Sequence, residues 1–312
     1  MIGTICLTTE QGLGYLAKSF FDNGLIDNVL IKEHSSRTNH REWYPKEAIM
    51  SSEDELLEKS NILIFFEEVF NWKIILKARE KGIKTILITM YECSRFPFPY
   101  EPDEIWCPSE LDYKFYKEKG QENIKLIQIP VDVKWNKRSI AKTFVFNNGN
   151  GGLGGRNGLK ELIDALEWIK SPIKLIIRSQ VPITLPEDPR IDLRIGTFDD
   201  IWSEGDVFIF PEKFNGLSLP LQEAFASGML VIATNRFPNY SYLPIEPLIP
   251  VSGYKKERIS VEFESAIIEP KEIAKCIDTW YNKNIEKFSL LGLEYNKKNQ
   301  WKKQKEILKM LM

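Results

Sequence analysis

The chain has 312 residues, 43% hydrophobic and 12% aromatic, which supplies two ordinary domains with separate cores and excludes a disordered chain. A net charge of -2 and a pI near 6.0 give no bulk attraction to nucleic acid or to an anionic membrane. Four cysteines without Cys-x-x-Cys spacing and two histidines argue against zinc and fit a reducing cytoplasm, and neither a signal peptide nor an apolar window long enough to cross a bilayer is visible.

Residues 2–7 read as the opening strand. Glu10-Gln11-Gly12-Leu13-Gly14 follows and leads into a helical run through Leu16 and Phe20. A strand, a glycine turn and a helix N-terminus suit a phosphate, because unpaired N–H groups point out of the turn. Gly12 and Gly14 also fit any tight turn of this kind. Residues 28–32 form the next strand, and residues 33–44 a polar loop holding His34 and His40. A short charged helix at 52–59 precedes the buried run NILIFF at 61–66, which ends in Glu67-Glu68. A helix at 72–81 stops at Gly82, and the strand at 84–89 ends in Met90-Tyr91-Glu92. Strand ends are where open α/β sheets carry function. Glu67, Glu68 and Glu92 are therefore candidates to hydrogen-bond a substrate or to act as a base, beside the plain reading that charges mark strand ends. An aromatic-proline loop from Arg95 to Tyr100, a strand at 104–107, a helix capped by Ser109 and a strand at 125–130 complete this half. Repeated strand–helix pairs with apolar strands predict a parallel, doubly wound sheet.

Residues 134–142 are charged and aperiodic, so the linker falls there. A second sheet starts at 143–146. Residues 147–158 then place six glycines in one loop, with Arg156 inside it and a helix at 159–169 directly behind. Glycines let a backbone approach a ligand closely, and N–H groups with a guanidinium suit a diphosphate. The loop is neither a Walker motif nor a dinucleotide fingerprint. A strand at 173–177 ends in Arg178, a second candidate cation or a surface ion pair, and 191–195 reads as an outer strand. Residues 196–204 read as a turn and short helix. Residues 206–235, DVFIFPEKFNGLSLPLQEAFASGMLVIATN, give strand, loop, helix, strand, with Gly228 as a helix stop. A Pro/Asn/Tyr-rich loop at 236–250, an amphipathic helix at 271–281 and a lysine-rich helix at 290–311 close the chain.

The stretch Asn215-Gly216-Leu217-Ser218-Leu219-Pro220-Leu221-Gln222-Glu223, followed by Ala224, Ala226 and Gly228, resembles the signature of family-4 GT-B glycosyltransferases. That signature is Glu, seven residues, Glu, with Gly-x-Gly-Leu-Pro inside and an Ala-x-x-x-Gly helix end. Glu223 occupies the second Glu; Asn215 replaces the first, and Glu212 lies out of register. The resemblance implies an α/β, GT-B fold: two Rossmann-like doubly wound domains facing a central cleft. The expected boundaries are 1–137 for an acceptor-side domain, 138–285 for a donor domain, and 286–312 for a helix packing back on the first. It implies a cytoplasmic, metal-independent, retaining enzyme with no cofactor, whose donor substrate is a nucleoside-diphosphate sugar, uridine-linked by family analogy. The expected donor-binding residues are Gly12, Gly14, Gly154, Gly155, Arg156, Arg178, Gly216, Leu217, Ser218, Leu219 and Glu223, with Thr197 and Phe198 near the base. Glu223 would accept hydrogen bonds from the ribose hydroxyls. Asn215, Glu92 and Glu68 are the catalytic candidates. Relatives usually grip the donor phosphates with an Arg and a Lys; Gly152 and Asn157 stand there, and Arg156 is one residue away. The acceptor stays open among a glycan, a small molecule, a protein and a modified nucleic-acid base, as does the oligomeric state. A nucleotide-sugar epimerase and a non-catalytic nucleotide-sugar-binding protein of the same fold are the rival readings.

Overall fold

The computed structural model describes residues 1–150, 155–198, 200–242, 246–258 and 261–312. The chain divides into two compact units, one built chiefly from Met1–Ile129 with Gln304–Met312, the other chiefly from Pro130–Glu257 with Phe263–Lys303.

In the first unit six strands form one parallel sheet: β1 (Ile2–Leu7), β2 (Asn28–Lys32), β3 (Ile62–Phe66), β4 (Lys84–Ile88), β5 (Glu104–Cys107) and β6 (Ile124–Leu126). Their order is β2-β1-β3-β4-β5-β6, so the direction of winding changes between β1 and β3. The connections run through helices α1 (Gly12–Asp22), α2 (Glu53–Glu58), α3 (Lys73–Glu80) and α4 (Glu110–Glu118). Two of these helices are capped: Ser109 accepts from the Asp112 N–H as the sequence suggested, and Ser52 accepts from the Glu55 N–H. The inner strands are buried on both faces, and Phe20, Phe65, Phe66, Trp106 and Tyr116 are fully enclosed. Each such side chain contributes about 1.5–3 kcal/mol by leaving water.

The second sheet contains β7 (Thr143–Gly149), β8 (Lys174–Ser179), β9 (Ile191–Ile195), β10 (Val207–Phe210), β11 (Leu230–Thr234) and β12 (Leu248–Ile249), all parallel, in the order β12-β11-β10-β7-β8-β9. This is the Rossmann order, with winding reversed between β7 and β10. Alternation sorts its two faces. Phe144, Phe146, Leu175, Ile177, Val207 and Ile209 join α5 (Leu159–Ala165) and α8 (Pro270–Trp280) in one cluster. Phe208, Phe210, Val231 and Ala233 join α6 (Leu219–Ala226) in the other. Helix α9 (Glu286–Asn299) crosses α6 closely at Gly292, where an added Cβ would stand 2.1 Å from the Phe225 carbonyl oxygen.

The structure departs from the sequence reading at several elements. The loop expected at 236–250 contains the short α7 (Asn239–Tyr242) and β12. Strands β13 (Val251–Arg258) and β14 (Glu262–Ile268) form a two-stranded sheet that the sequence reading lacked. The terminal helix is two helices, α9 and α10 (Trp301–Leu311). Gln300 is extended (φ -68°, ψ 156°), and the Asn299 carbonyl accepts the Val131 N–H at 2.9 Å instead of continuing the helix. The strand expected at 125–130 is the three-residue β6, and the described part of 196–204 is turn rather than helix.

Candidate functional site

The carboxyl ends of β7 and β10 flank the reversal point of the second sheet, so the loops that leave them define the crevice where this architecture binds ligands. The glycine-rich loop after β7 is described from Gly155 onward; Gly154 lies outside the described residues. Gly155 and Gly158 have φ of +69° and +75°, a left-handed backbone that favours glycine. At Gly158 space also decides, since a Cβ would meet the Pro211 carbonyl oxygen at 2.0 Å. That contact seats the start of α5 on the end of β10. Asn157 is tied to the strand end: its Nδ2 donates to Asn148 Oδ1 at 2.7 Å, and Asn148 Nδ2 donates to Ser179 Oγ at 2.9 Å. Two neutral amides thus bind each other at the position where the resemblance expected a lysine.

Arg156 connects the two loops. Its carbonyl accepts the Lys213 N–H at 2.7 Å, and its guanidinium lies 5.7 Å from the centre of the Phe214 ring. Phe214 in turn packs on Phe263 of β14, with centroids 4.2 Å apart. The Arg156 Nη1 is buried with no hydrogen-bond partner among the described residues. Buried donors are ordinarily satisfied, so this nitrogen is suited to an anionic oxygen.

The loop after β10 is held from within. Glu212 and Arg236, 2% and 4% exposed, form a buried ion pair. Arg236 also donates to the Asn215 carbonyl from both Nη1 and Nη2, each at 3.1 Å, and to the Phe237 carbonyl at 2.9 Å. Burial pushes the Glu212 carboxyl up, while the Arg236 and Arg156 guanidiniums pull it down. The Ser218 N–H donates to Asn215 Oδ1 at 3.1 Å, and Ser218 itself adopts a left-handed φ of +49°. The Gly216 and Leu217 carbonyls accept from Tyr242 Oη (3.1 Å) and Gln222 Nε2 (2.6 Å). The backbone from Asn215 to Leu217 therefore turns its carbonyls inward, and Leu219 begins α6.

Glu223, one turn into α6, is partly buried and accepts one bond from Trp202 Nε1 at 3.2 Å. Burial pushes its carboxyl up to about 7, with the Trp202 bond pulling it back. Arg178, at the end of β8, is 4% exposed rather than on the surface. It donates to the Ile201 carbonyl at 2.7 Å, stands 3.6 Å from the Glu204 carboxylate, and lies 6.0 Å from the Phe198 ring centre. Through Ile201 and Trp202 it belongs to the same wall as Glu223. The second unit thus assembles Gly155, Arg156, Arg178, Asn215, Gly216, Leu217, Ser218, Leu219 and Glu223 along one rim. Sequence reasoning missed the Glu212–Arg236 pair. Its signal was there: each is the second residue past the end of one of two adjacent parallel strands, with opposite charge.

The remaining candidates lie in the first unit, also at strand ends. Gly12 opens α1 with free space around it, whereas a Cβ on Gly14 would stand 2.2 Å from the Thr9 carbonyl oxygen. Glu68 is exposed past the end of β3. Glu92 is 1% exposed and neighbours Asp112, whose carboxyl is pushed up to about 8, first by burial and then by the Glu92 charge. Asp112 accepts from the Tyr91 N–H at 2.8 Å and from Ser109 Oγ. Among the described residues no three His, Cys, Asp or Glu side chains converge as metal ligands, and no helix is long and apolar enough to cross a membrane.

No protein-family model matches this chain, and no curated protein matches it. Solved structures do. The Anabaena protein Alr3699/HepE, solved with UDP and glucose, superposes with a TM-score of 0.68 at 12% identity, over 99% of this chain and 98% of that one. A glycosyltransferase from Rickettsia africae ESF-5 gives 0.63 at 13% identity, over 99% and 97%. The lipopolysaccharide outer core galactosyltransferase WaaB gives 0.59 at 13%, over 100% and 99%. This chain spans 57% of the length of the pneumococcal O-GlcNAc transferase GtfA, which it matches at 14% identity with a TM-score of 0.58. The two six-stranded parallel sheets with their flanking helices are the GT-B fold of these neighbours.

Proposed function

We propose that the chain is a glycosyltransferase that moves a sugar from a uridine diphosphate sugar to an acceptor hydroxyl, with retention of anomeric configuration, in the cytoplasm and without a required metal. The observation that carries the reading is the rim at the β7–β10 reversal, where Arg156 Nη1 is buried without a partner among the described residues beside the loop after β10, and Glu223 stands one turn into the helix that this loop opens. Further support comes from neighbours of the same fold whose structures hold UDP or UDP-glucose. In this proposal Glu223 accepts hydrogen bonds from the two ribose hydroxyls, and Arg156 with the loop N–H groups binds the diphosphate. Those same groups stabilise charge on the departing phosphate, whose oxygen takes the acceptor proton. Asn215 contacts the sugar and Glu68, exposed past the end of β3, serves as the acceptor-side group, whereas Glu92, 1% exposed, is closed off from an acceptor.

One observation favours a second reading, a nucleotide-sugar-binding protein without turnover. The loop offers Asn148 and Asn157 bonded to each other in place of a second phosphate cation. A thermal-shift panel of UDP-, GDP-, ADP- and dTDP-sugars on wild type and Glu223→Ala tests the binding step, since a ligand specific to the folded state raises its stability. The expected result is a shift with uridine nucleotides alone, lost in Glu223→Ala. Release of free sugar or UDP from the bound donor then separates enzyme from binder; no shift with any nucleotide refutes both readings.

A further inference from the structure

Asn215 stands where the resemblance puts a carboxylate, and the structure fixes which of its atoms faces outward. The Ser218 N–H donates to Asn215 Oδ1. Only an acceptor can meet a backbone N–H, so the amide oxygen is the inward atom and its orientation follows from hydrogen-bond chemistry. The carbonyl of the same residue is clamped by both Arg236 Nη atoms, and Arg236 is held in turn by Glu212. Asn215 is therefore restrained at backbone and side chain together. What it presents away from its own loop is Nδ2, which donates hydrogen bonds and accepts none. A carboxylate in that seat would accept bonds and carry negative charge. The surroundings reinforce the difference: Glu212 is answered by Arg236, and Arg156 lies over the adjoining Phe214 with a buried Nη1 that has no partner among the described residues.

We propose that Asn215 is a specificity-determining residue that selects a donor sugar bearing a carboxylate, a hexuronic acid, over a neutral hexose. The inference rests on the nucleotide-sugar reading above and names its sugar class. A hydroxyl both donates and accepts, so a neutral sugar is served by either an amide or a carboxylate. A sugar carboxylate only accepts. It is repelled by a carboxylate in this seat and met by the Asn215 N–H groups through a charge-assisted bond.

The experiment is isothermal titration of UDP, UDP-glucose and UDP-glucuronate into the full chain and into Asn215→Asp. The aspartate keeps the size of the side chain and an oxygen for the Ser218 N–H, while the outward atom changes from donor to acceptor and the seat gains a negative charge. Wild type is expected to bind UDP-glucuronate at least about tenfold tighter than UDP-glucose, about 1.4 kcal/mol. In Asn215→Asp that preference is expected to vanish or reverse, with UDP itself moving less than about twofold. If UDP binds both proteins and the two sugars bind wild type equally, or the preference survives in Asn215→Asp, the selectivity is refuted and the nucleotide reading stands. If UDP does not bind wild type, the nucleotide reading falls and the selectivity with it. Should Asn215→Asp fail to fold, Asn215→Ala, which lacks both terminal atoms, must equalise the two sugars, and a preference retained there overturns the proposal.

Discussion

If Glu223 accepts the ribose hydroxyls, as proposed, its carboxyl makes donor affinity depend on pH in a way that can be worked out in advance. Burial holds it at about 7, so about one-tenth is ionised at pH 6 and about nine-tenths at pH 8. The ionised form meets both ribose hydroxyls and Trp202 Nε1 with two charged, acceptor-only oxygens, whereas protonation turns one oxygen into a donor and removes the charge. Affinity for UDP-glucose, whose diphosphate diester does not titrate in this range, should therefore rise about ninefold from pH 6 to pH 8, ~1.3 kcal/mol. Titration calorimetry at constant ionic strength reads this directly, and Glu223→Gln should flatten the profile. The folding linkage runs the other way. A carboxyl raised in the folded state holds a proton that the unfolded chain has lost, so its contribution to stability declines as pH rises from the ordinary carboxylate range to about 7 and is level above. A flat affinity profile in the wild type, or an unchanged slope in Glu223→Gln, would refute the assignment of Glu223 as the ribose acceptor.

Breaking the buried Glu212–Arg236 pair from one side should cost about 3–5 kcal/mol in urea unfolding followed by tryptophan fluorescence, because one charge is left buried and unanswered. The double variant Glu212→Gln/Arg236→Met should recover much of that loss, and single variants costing under about 1 kcal/mol would contradict the burial argument. Gly292→Ala should destabilise the protein even though alanine favours a helix over glycine by about 1 kcal/mol, since the new methyl meets the Phe225 carbonyl. A raised denaturation midpoint would show that α9 can lift off α6 at no cost. Arg156→Met should weaken UDP binding by at least about tenfold, with Arg156→Lys intermediate because it keeps charge but loses the planar fork; unchanged titration curves would remove Arg156 from the phosphate site.

Both sheets were legible in the sequence because their central strands are short and apolar on both faces, and many of them alternate with helices of regular period. Val207–Phe210 and Leu230–Thr234 were readable residue for residue. The rim residues Arg156, Asn215 and Glu223 were legible for a different reason: they sit in a glycine loop and a helix start whose backbone demands are local. What failed was tertiary. Strand β13, with Tyr254, Lys255 and Lys256 among its residues, has no apolar alternation, and its pairing with β14 replaces the missing local signal. The break at Gln300 depends on a bond from Asn299 to Val131, which no window of sequence contains. The sequence left Arg178 open between a second cation and a surface ion pair, because the cover that the Ile201 carbonyl and Glu204 bring over it comes from more than twenty residues away.

The central pairing of the second sheet has a consequence for how the chain acquires its rim. β7 and β10 meet at Phe144–Val207 and Val145–Phe208, with two strands and a helix synthesised between them. A growing chain that has released the glycine-rich loop therefore carries Arg156 long before Lys213 arrives to receive its carbonyl bond. Closing that interval costs entropy, about 0.6 kcal/mol for each doubling of its length, and makes the pairing a late, non-local event. A ligand lying across both loops would grip the two strands whose separation opens the sheet. Its presence should then lengthen the lifetime of the folded second unit by slowing the parting of β7 from β10, leaving the earlier β7–β8 pairing to form at its own pace.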